Sequence, residues 1–355
     1  MLEIDGSYLE GGGQILRTSL GLSCLTGQDF HIYNIRKGRC NPGLSNQHLF
    51  CVKAVQRLCN AKVAGGEAGS TEITFSPGKF EPKDLDIKIG TAGSTTLLLQ
   101  SLIVPLTFAG KNTTVRLTGG TDVAWSQPVD YLSQVLLPWL ERFAEFEFKL
   151  IKRGYYPKGG GKIELKVQPL CNSHSFLDLV DELKIKKIEL LDKGKPIEIT
   201  GTSHASNSLM GKRVAERQKQ AAVDLLSAQG RVSIQEQYCD TESPGSGIGL
   251  FARYAKCSGF PVTLGADSLG EMRKPAEAVG REAAHRLLKT AESGALVDEH
   301  LADQILPFIA FAKEAEFVTS DVTNHLRTNA FIIEKFLPVK FSIEKNKVIA
   351  NLINY

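Results

Sequence analysis

The chain has 355 residues, 42% hydrophobic and 23% charged, with a formal net charge of +3. That length accommodates two or three domains, and the small net charge excludes a global polycation, so any nucleic-acid contact needs a local patch. The seven cysteines form no CxxC pair, which speaks against a zinc knuckle or a disulfide framework and for a reducing compartment.

The N-terminal segment MLEIDGSYLE carries acids where a secretory signal would carry a basic segment. Its MLEID portion reads as a leading strand. An apolar helix follows from Gln14 to Leu25, then a strand at DFHIYNIR and a second helix, NQHLFCVKAVQRLC, at 46–59. Two strands near AKVAG and STEITFSP close this first unit.

The order then recurs. The second unit has a leading strand LDIKIG, a helix at 94–109, a strand TTVRLTGG and a helix at 129–143. FEFKLIKRGYY and GGKIELKVQP close it. The third has a helix at 299–313, a strand AEFVTSDV, a helix TNAFIIEKFL, and the pair VKFSIEK and KVIANLIN. The most apolar stretch, 95–110, contains Gln100 and Pro105 and is too short for a bilayer. A buried helix in a cytoplasmic protein without membrane contact is expected.

Between the second and third units lies a stretch, 182–295, that reads as a small inserted α/β domain. Its strands are KKIELLD with KPIEIT, RVSIQEQY, GIGLFARYA and FPVTLGAD; its helices fall at 208–227 and 273–291, and 241–249 reads as a hairpin loop. The expected fold is α/β: three repeated units (1–181 and 296–355) packed by their helical faces into one core, with the insert at the side.

Two runs of three glycines raise the question of phosphate binding. No GxxxxGK[ST] and no strand-to-helix GxGxxG occurs. EGGGQILR, 10–17, opens a helix, where free N–H groups and the helix dipole favour an anion. YYPKGGGKIEL, 155–165, lies between strands, where its glycines either make a hairpin or, with Lys158, Tyr155 and Tyr156, meet a nucleic-acid strand. From Asn34 to Arg57 there is no acid but five cations, among them Arg36 and Arg39. Such a run is either a solvated face or a phosphate grip.

EGGGQILR, IRKGRCNPGLSNQH, IGTAGST, GGTD, RGYYPKGGG, HLADQ and NHLRTN occur in this order. Together they closely resemble the RNA 3′-terminal phosphate cyclases, from Leu2 to near the C-terminus and least in the insert. The resemblance implies three repeats like the C-terminal domain of translation initiation factor three, plus a thioredoxin-like insert. It implies conversion of an RNA 3′-phosphate to a 2′,3′-cyclic phosphate with ATP and a divalent metal, Mg or Mn. By it His325 is the nucleophile, adenylated before an RNA–pp–A end forms. ATP contacts map onto Gln100 and onto His300, Leu301, Ala302, Asp303 and Gln304. Phosphate or RNA contacts map onto Arg17, Arg36, Arg39, Gln47 and His48, and metal or ribose contact onto Glu10. The partner is RNA with a 3′-phosphate end; an oligomer is left open. His300 and Asn46 stand where some relatives have Tyr and Arg. Two other readings share the fold. A non-catalytic relative in ribosome assembly lacks the histidine that His325 supplies, and an enolpyruvyl transferase lacks HLADQ and NHLRTN.

Overall fold

The computed structural model describes residues 1–353 except 174, 192, 193 and 195. Asp192, Lys195 and Asn354, at or near strand ends in the sequence reading, lie outside the described residues. Three four-stranded sheets share one wiring. In the first, β1 (Leu2–Asp5) runs parallel to β2 (Phe30–Tyr33), β2 is antiparallel to β4 (Ile73–Ser76), and β4 to β3 (Lys62–Ala64). The second repeats this with β5 (Leu85–Lys88), β6 (Thr113–Gly119), β8 (Gly161–Pro169) and β7 (Ala144–Lys152). The third uses β9 (Lys187–Leu190), β14 (Glu314–Val318), β16 (Lys347–Leu352) and β15 (Val339–Glu344).

β9 corrects the sequence reading. The sequence pattern groups KKIELLD with the insert, yet this strand pairs in parallel with β14 and leads the third sheet. A parallel partner needs a long crossover. Here the crossover carries the whole fourth sheet: β10 (Glu198–Ser206), β11 (Val232–Cys239), β12 (Ser246–Cys257) and β13 (Phe260–Leu269), in the order β11-β10-β12-β13. The expected hairpin loop at 241–249 is shorter, because Ser246 to Gly249 are buried strand.

Helix α1 (Gly13–Thr26) packs against α2 (Asn46–Cys59), α3 (Thr95–Thr107) and α10 (Asn324–Phe336), and α10 against α9 (Glu299–Ile309). α3 is buried almost all round, as its largely apolar sequence requires. The stretch 129–140 is α4 (Val129–Tyr131), a π turn at Leu132–Leu136 and α5 (Leu137–Leu140). The turn widens ahead of Pro138, which has no amide hydrogen to give. α6 (Phe176–Leu183), α7 (Val214–Leu226) and α8 (Ala276–Glu292) complete the set; α7 and α8 cover the fourth sheet. Among the described residues no helix is long and apolar enough to cross a membrane.

RGYYPKGGG joins the second and fourth sheets. The buried Arg153 side chain donates through Nη1 to both oxygens of Asp122 (3.1 and 3.2 Å) and through Nη2 to both of Asp130 (2.9 and 2.8 Å). Its Nε donates to Gln237 Oε1 on β11 (3.0 Å). Tyr155 Oη meets His204 Nδ1 on β10 at 2.7 Å, and Lys158 N–H donates to Ser243 Oγ at 3.1 Å. Gly160 takes φ +71° beside Glu242, where a Cβ would lie 2.4 Å from the carboxylate. The second glycine run is therefore a packing joint. Tyr155 is 3% exposed and cannot stack on nucleic acid, which removes half of the expected pair.

Removing one partner of a buried ion pair strands the other charge. Arg153→Met leaves two buried carboxylates facing each other, and is expected to lower the unfolding free energy by about 3–5 kcal/mol, read as a shift of the urea midpoint.

Candidate active site

α1 is the only one of α1, α2, α3, α9 and α10 whose first turn receives no side-chain cap. Its N-terminal N–H groups are thus open to an external acceptor. The reason is local. A Cβ built on Gly13 would sit 2.1 Å from His48 Nε2 and 3.0 Å from an Arg17 guanidinium nitrogen, so only glycine admits both side chains. One at Gly12 would meet Arg39 at 3.5 Å and His325 at 4.0 Å, ordinary contact.

His48 closes a capping box: Ser45 N–H donates to its Nδ1 at 3.1 Å. That leaves the hydrogen on Nε2, at the start of α1. Burial, then the charges of Arg17 and Arg36, push its pKa down to about 3, so the ring is a neutral donor. Arg17 is itself buried and donates through Nε to Gln100 Oε1 on α3 at 3.1 Å.

The sequence reading starts the last helix at TNAFIIEKFL, after His325; the helix instead begins at Asn324, and His325 lies in its first turn, behind the Thr323 cap. The capping hydroxyl explains this, since Thr323 Oγ1 accepts from Leu326 N–H at 3.1 Å and starts the helix early. His325 Nδ1 bonds Gln14 Oε1, and Gln14 Nε2 donates to Asp303 Oδ2 at 2.7 Å. Because the amide nitrogen is committed to the carboxylate, its oxygen must accept. The imidazole proton is thereby placed on Nδ1 and the lone pair on Nε2. Burial lowers the pKa of His325; Glu10 opposes this, and Arg17, Arg39 and His300 add to it. Asp303 is raised to about 7, chiefly by burial, against the pull of His300 and Arg17.

Glu10 Oε2 stands 3.0 Å from His325 Nε2, and Glu10 Oε1 accepts from Arg39 Nη2 at 2.6 Å. With the proton on Nδ1, the carboxylate and Nε2 are facing acceptors. That apposition suits a cation, and one carboxylate completed by phosphate oxygens and water is an ordinary magnesium site. Glu10 thus fits a divalent ion. Asp122, Asp130 and His204 also lie at metal-ligand spacing, but the Arg153 guanidinium fills that cluster.

A slot beside these groups is walled by Leu99, Ile103 and Leu136 and edged by the amides of Gln100, Gln127 and Gln304. Gln127 Nε2 lies 3.2 Å from His300 Nδ1. Asp298 caps α9 and fixes the position of His300: it accepts from the N–H groups of His300 (3.0 Å), Leu301 (2.8 Å) and Gly265 (3.0 Å), and from Tyr131 Oη (2.5 Å).

The structure therefore brings together Glu10, Arg17, Arg39, His48, Gln100, Asp303 and His325. Arg36 lies beside His48 and donates to Gly43 O at 3.0 Å; Gln47 donates to Ser94 O at 3.1 Å, at the start of α3. Leu301 and Ala302 turn into the core. Sequence reasoning missed Gln14, Gln127, Tyr131, Asp298 and Asn329, the last of which binds Thr18 Oγ1 (2.7 Å) and Asp303 O (2.7 Å). A signal existed for Gln14: with Arg17 and Thr18 it forms the one polar stripe at i, i+3, i+4 on an apolar helix.

A family model described as RTC, RNA 3′-terminal phosphate cyclase, matches residues 8–343. The chain belongs to this family. A relative from Archaeoglobus fulgidus named RNA 3′-terminal phosphate cyclase is 44% identical over 352 residues, covering 98% of this chain and 99% of its own length. Relatives of the same name from Thermococcus kodakarensis (44% over 346 residues, 97% and 94%) and Methanopyrus kandleri (43% over 352 residues, 97% and 95%) match as fully. Membership agrees with the mixed α/β fold.

The glycines of the first run differ in tolerance. Gly13→Ala drives a Cβ into the His48 ring and is expected to cost about 1–3 kcal/mol. Gly12→Ala should cost well under that. Thermal unfolding of the two variants beside the parent checks the order.

Proposed function

We propose that this chain closes an RNA 3′-phosphate to a 2′,3′-cyclic phosphate with ATP, through an adenylate on His325. The observation that carries the reading is the chain Asp303–Gln14–His325, which holds the proton on Nδ1 and leaves the Nε2 lone pair uncommitted beside Glu10, where a cation-bound phosphate would meet it.

The nucleotide binds against the amides of Gln100, Gln127 and Gln304 at the edge of the narrow slot. Nε2 attacks the α-phosphorus, forming a P–N bond as the P–O bond to pyrophosphate breaks. Positive charge then develops on the imidazole, and its Nδ1–H binds Gln14 more strongly. Gln14 in turn leans on the Asp303 carboxylate, which spreads that charge into a buried anion. An oxygen of the RNA 3′-phosphate next attacks the same phosphorus, the P–N bond breaks, and RNA–pp–A is released from the histidine. The neighbouring ribose 2′-OH attacks the terminal phosphorus, its proton goes to solvent or a nearby base, and AMP leaves. Ring closure needs little beyond alignment, because the ribose already holds nucleophile and electrophile together.

Arg17, Arg39, the Nε2–H of His48 and the open end of α1 neutralise and orient the phosphates. Arg36 and Gln47 serve the RNA phosphate from the edge. Glu10 would hold a divalent ion, which supplies charge neutralisation on phosphate oxygens when bound. The same reading treats the fourth sheet with α7 and α8 as an insert into the three-unit catalytic body.

Incubation with ATP labelled at the α-phosphate tests the reading. Acid-labile, base-stable label on the parent and none on His325→Ala is expected; an unlabelled, folded parent would sink it. A second outcome follows from Asp303. Its raised pKa means that the carboxylate supporting Gln14 is lost as pH falls through about 7. Adenylation should therefore rise across that region in the parent. In Asp303→Asn that step should vanish and the rate should stay roughly 10²–10³-fold lower, as for a lost oxyanion donor.

A further inference from the structure

Trp125 is 97% exposed, while Trp139, the chain's other tryptophan, is 1% exposed. A tryptophan left wholly in water forgoes the large burial its ring offers. Its backbone is strained as well: φ is +67°, a conformation that bulky side chains rarely adopt. Such strain persists only where the surroundings enforce it, and here they do. Val129 N–H donates to Thr121 O at 3.1 Å and closes the loop 121–129. Arg153 grips Asp122 at one end, and at the other Thr96 Oγ1 donates to Gln127 O at 2.8 Å. Ser126 Oγ donates to Val123 O at 3.0 Å and tightens the tip. The loop is a rigid mount that holds one indole out from the surface.

Its position matters. Trp125 is two residues from Gln127, so their Cα atoms lie within about 7 Å, and Gln127 both edges the nucleotide slot and meets His300. An indole this exposed lines no slot, which excludes it as a wall for adenine. Its neighbours Ala124, Ser126 and Gln127 offer no apolar patch of the size a protein partner buries. One flat, fixed aromatic face at the rim of a nucleotide site suits one unpaired nucleobase.

We infer that Trp125 is a stacking platform for a base at the 3′ end of the RNA, beside the site where the terminal phosphate meets the adenylate. The inference rests on the cyclase reading for its choice of ligand. Stacking of this kind is sequence-tolerant, because every base has a π face. It would hold the RNA end without selecting its sequence, leaving the arginines to read the phosphate.

The test uses the full chain and a short single-stranded RNA ending in a 3′-phosphate. Titration is expected to quench the red-edge tryptophan emission of the parent, and Trp125→Phe should remove that signal while the buried Trp139 stays silent. Trp125→Ala should raise the RNA concentration for half-maximal cyclisation about 5- to 150-fold, the range that base–aromatic stacking supports, with Trp125→Tyr close to the parent. Self-adenylation by ATP should not change. An RNA abasic at its last three positions should bind the parent less well and Trp125→Ala no worse than the intact RNA does. Equal RNA affinity of parent and Trp125→Ala overturns the inference. So does a parallel loss of adenylation, which would assign the indole to the nucleotide or to the loop's own structure. A parent that shows the RNA-dependent quench but never adenylates would overturn the cyclase reading and leave the platform standing.

Discussion

A carboxylate taken wholly out of water must be met by donors, and the position of Asp298 follows from that requirement. It is fully buried and, among the described residues, sits in no ion pair of the structure. Its donors come from three parts of the chain: the first turn of α9, the Tyr131 hydroxyl in α4, and Gly265 N–H on β13. Burial raises its pKa while these bonds oppose the rise. The second unit, the third unit and the fourth sheet are thereby fixed to one another at the helix that carries His300, Asp303 and Gln304. The fourth sheet lies in the crossover between β9 and β14, yet it supplies a donor to the cap of α9.

The same logic of buried polarity runs through α1. Gln14, Arg17 and Thr18 sit on a helix otherwise made for the core, and each is committed to another unit: Gln14 to α9 and α10, Arg17 to α3, Thr18 to α10. The groups packed around them are buried in turn, and the desolvation of His48 and Asp303 is what tunes the site. It holds His48 neutral and raises Asp303 towards neutrality. A surface histidine or aspartate would show neither effect.

The two glycine runs have the same composition and opposite uses. At Gly13 the missing Cβ lets His48 and Arg17 approach an uncapped helix end; at Gly160 it lets Glu242 of a neighbouring loop pack down. Both positions need glycine for close approach, and only what approaches differs. That cannot be read locally, since His48 lies 35 positions from Gly13 and Glu242 lies 82 from Gly160. For the same reason Tyr155 and Tyr156, adjacent in sequence, part company: one is buried on His204 and the other exposed.

The sequence by itself determined the elements and their order. Apolar period, turn residues and caps are local, so the helices of the three units fall within a few residues of their expected places, as α2 at Asn46–Cys59 does. The ordered motifs also carried the family, and with it the expectation for His325 and the arginines. Tertiary structure decided what depends on packing between units. It gave β9 to the third sheet, because strand pairing is a long-range choice. It decided that Arg153 closes a joint while Arg17 faces a site, because a cation's role follows from the charges folded around it. And it decided the tautomer of His325, because the proton's place is fixed by Gln14 and Asp303, residues 311 and 22 positions away in the chain.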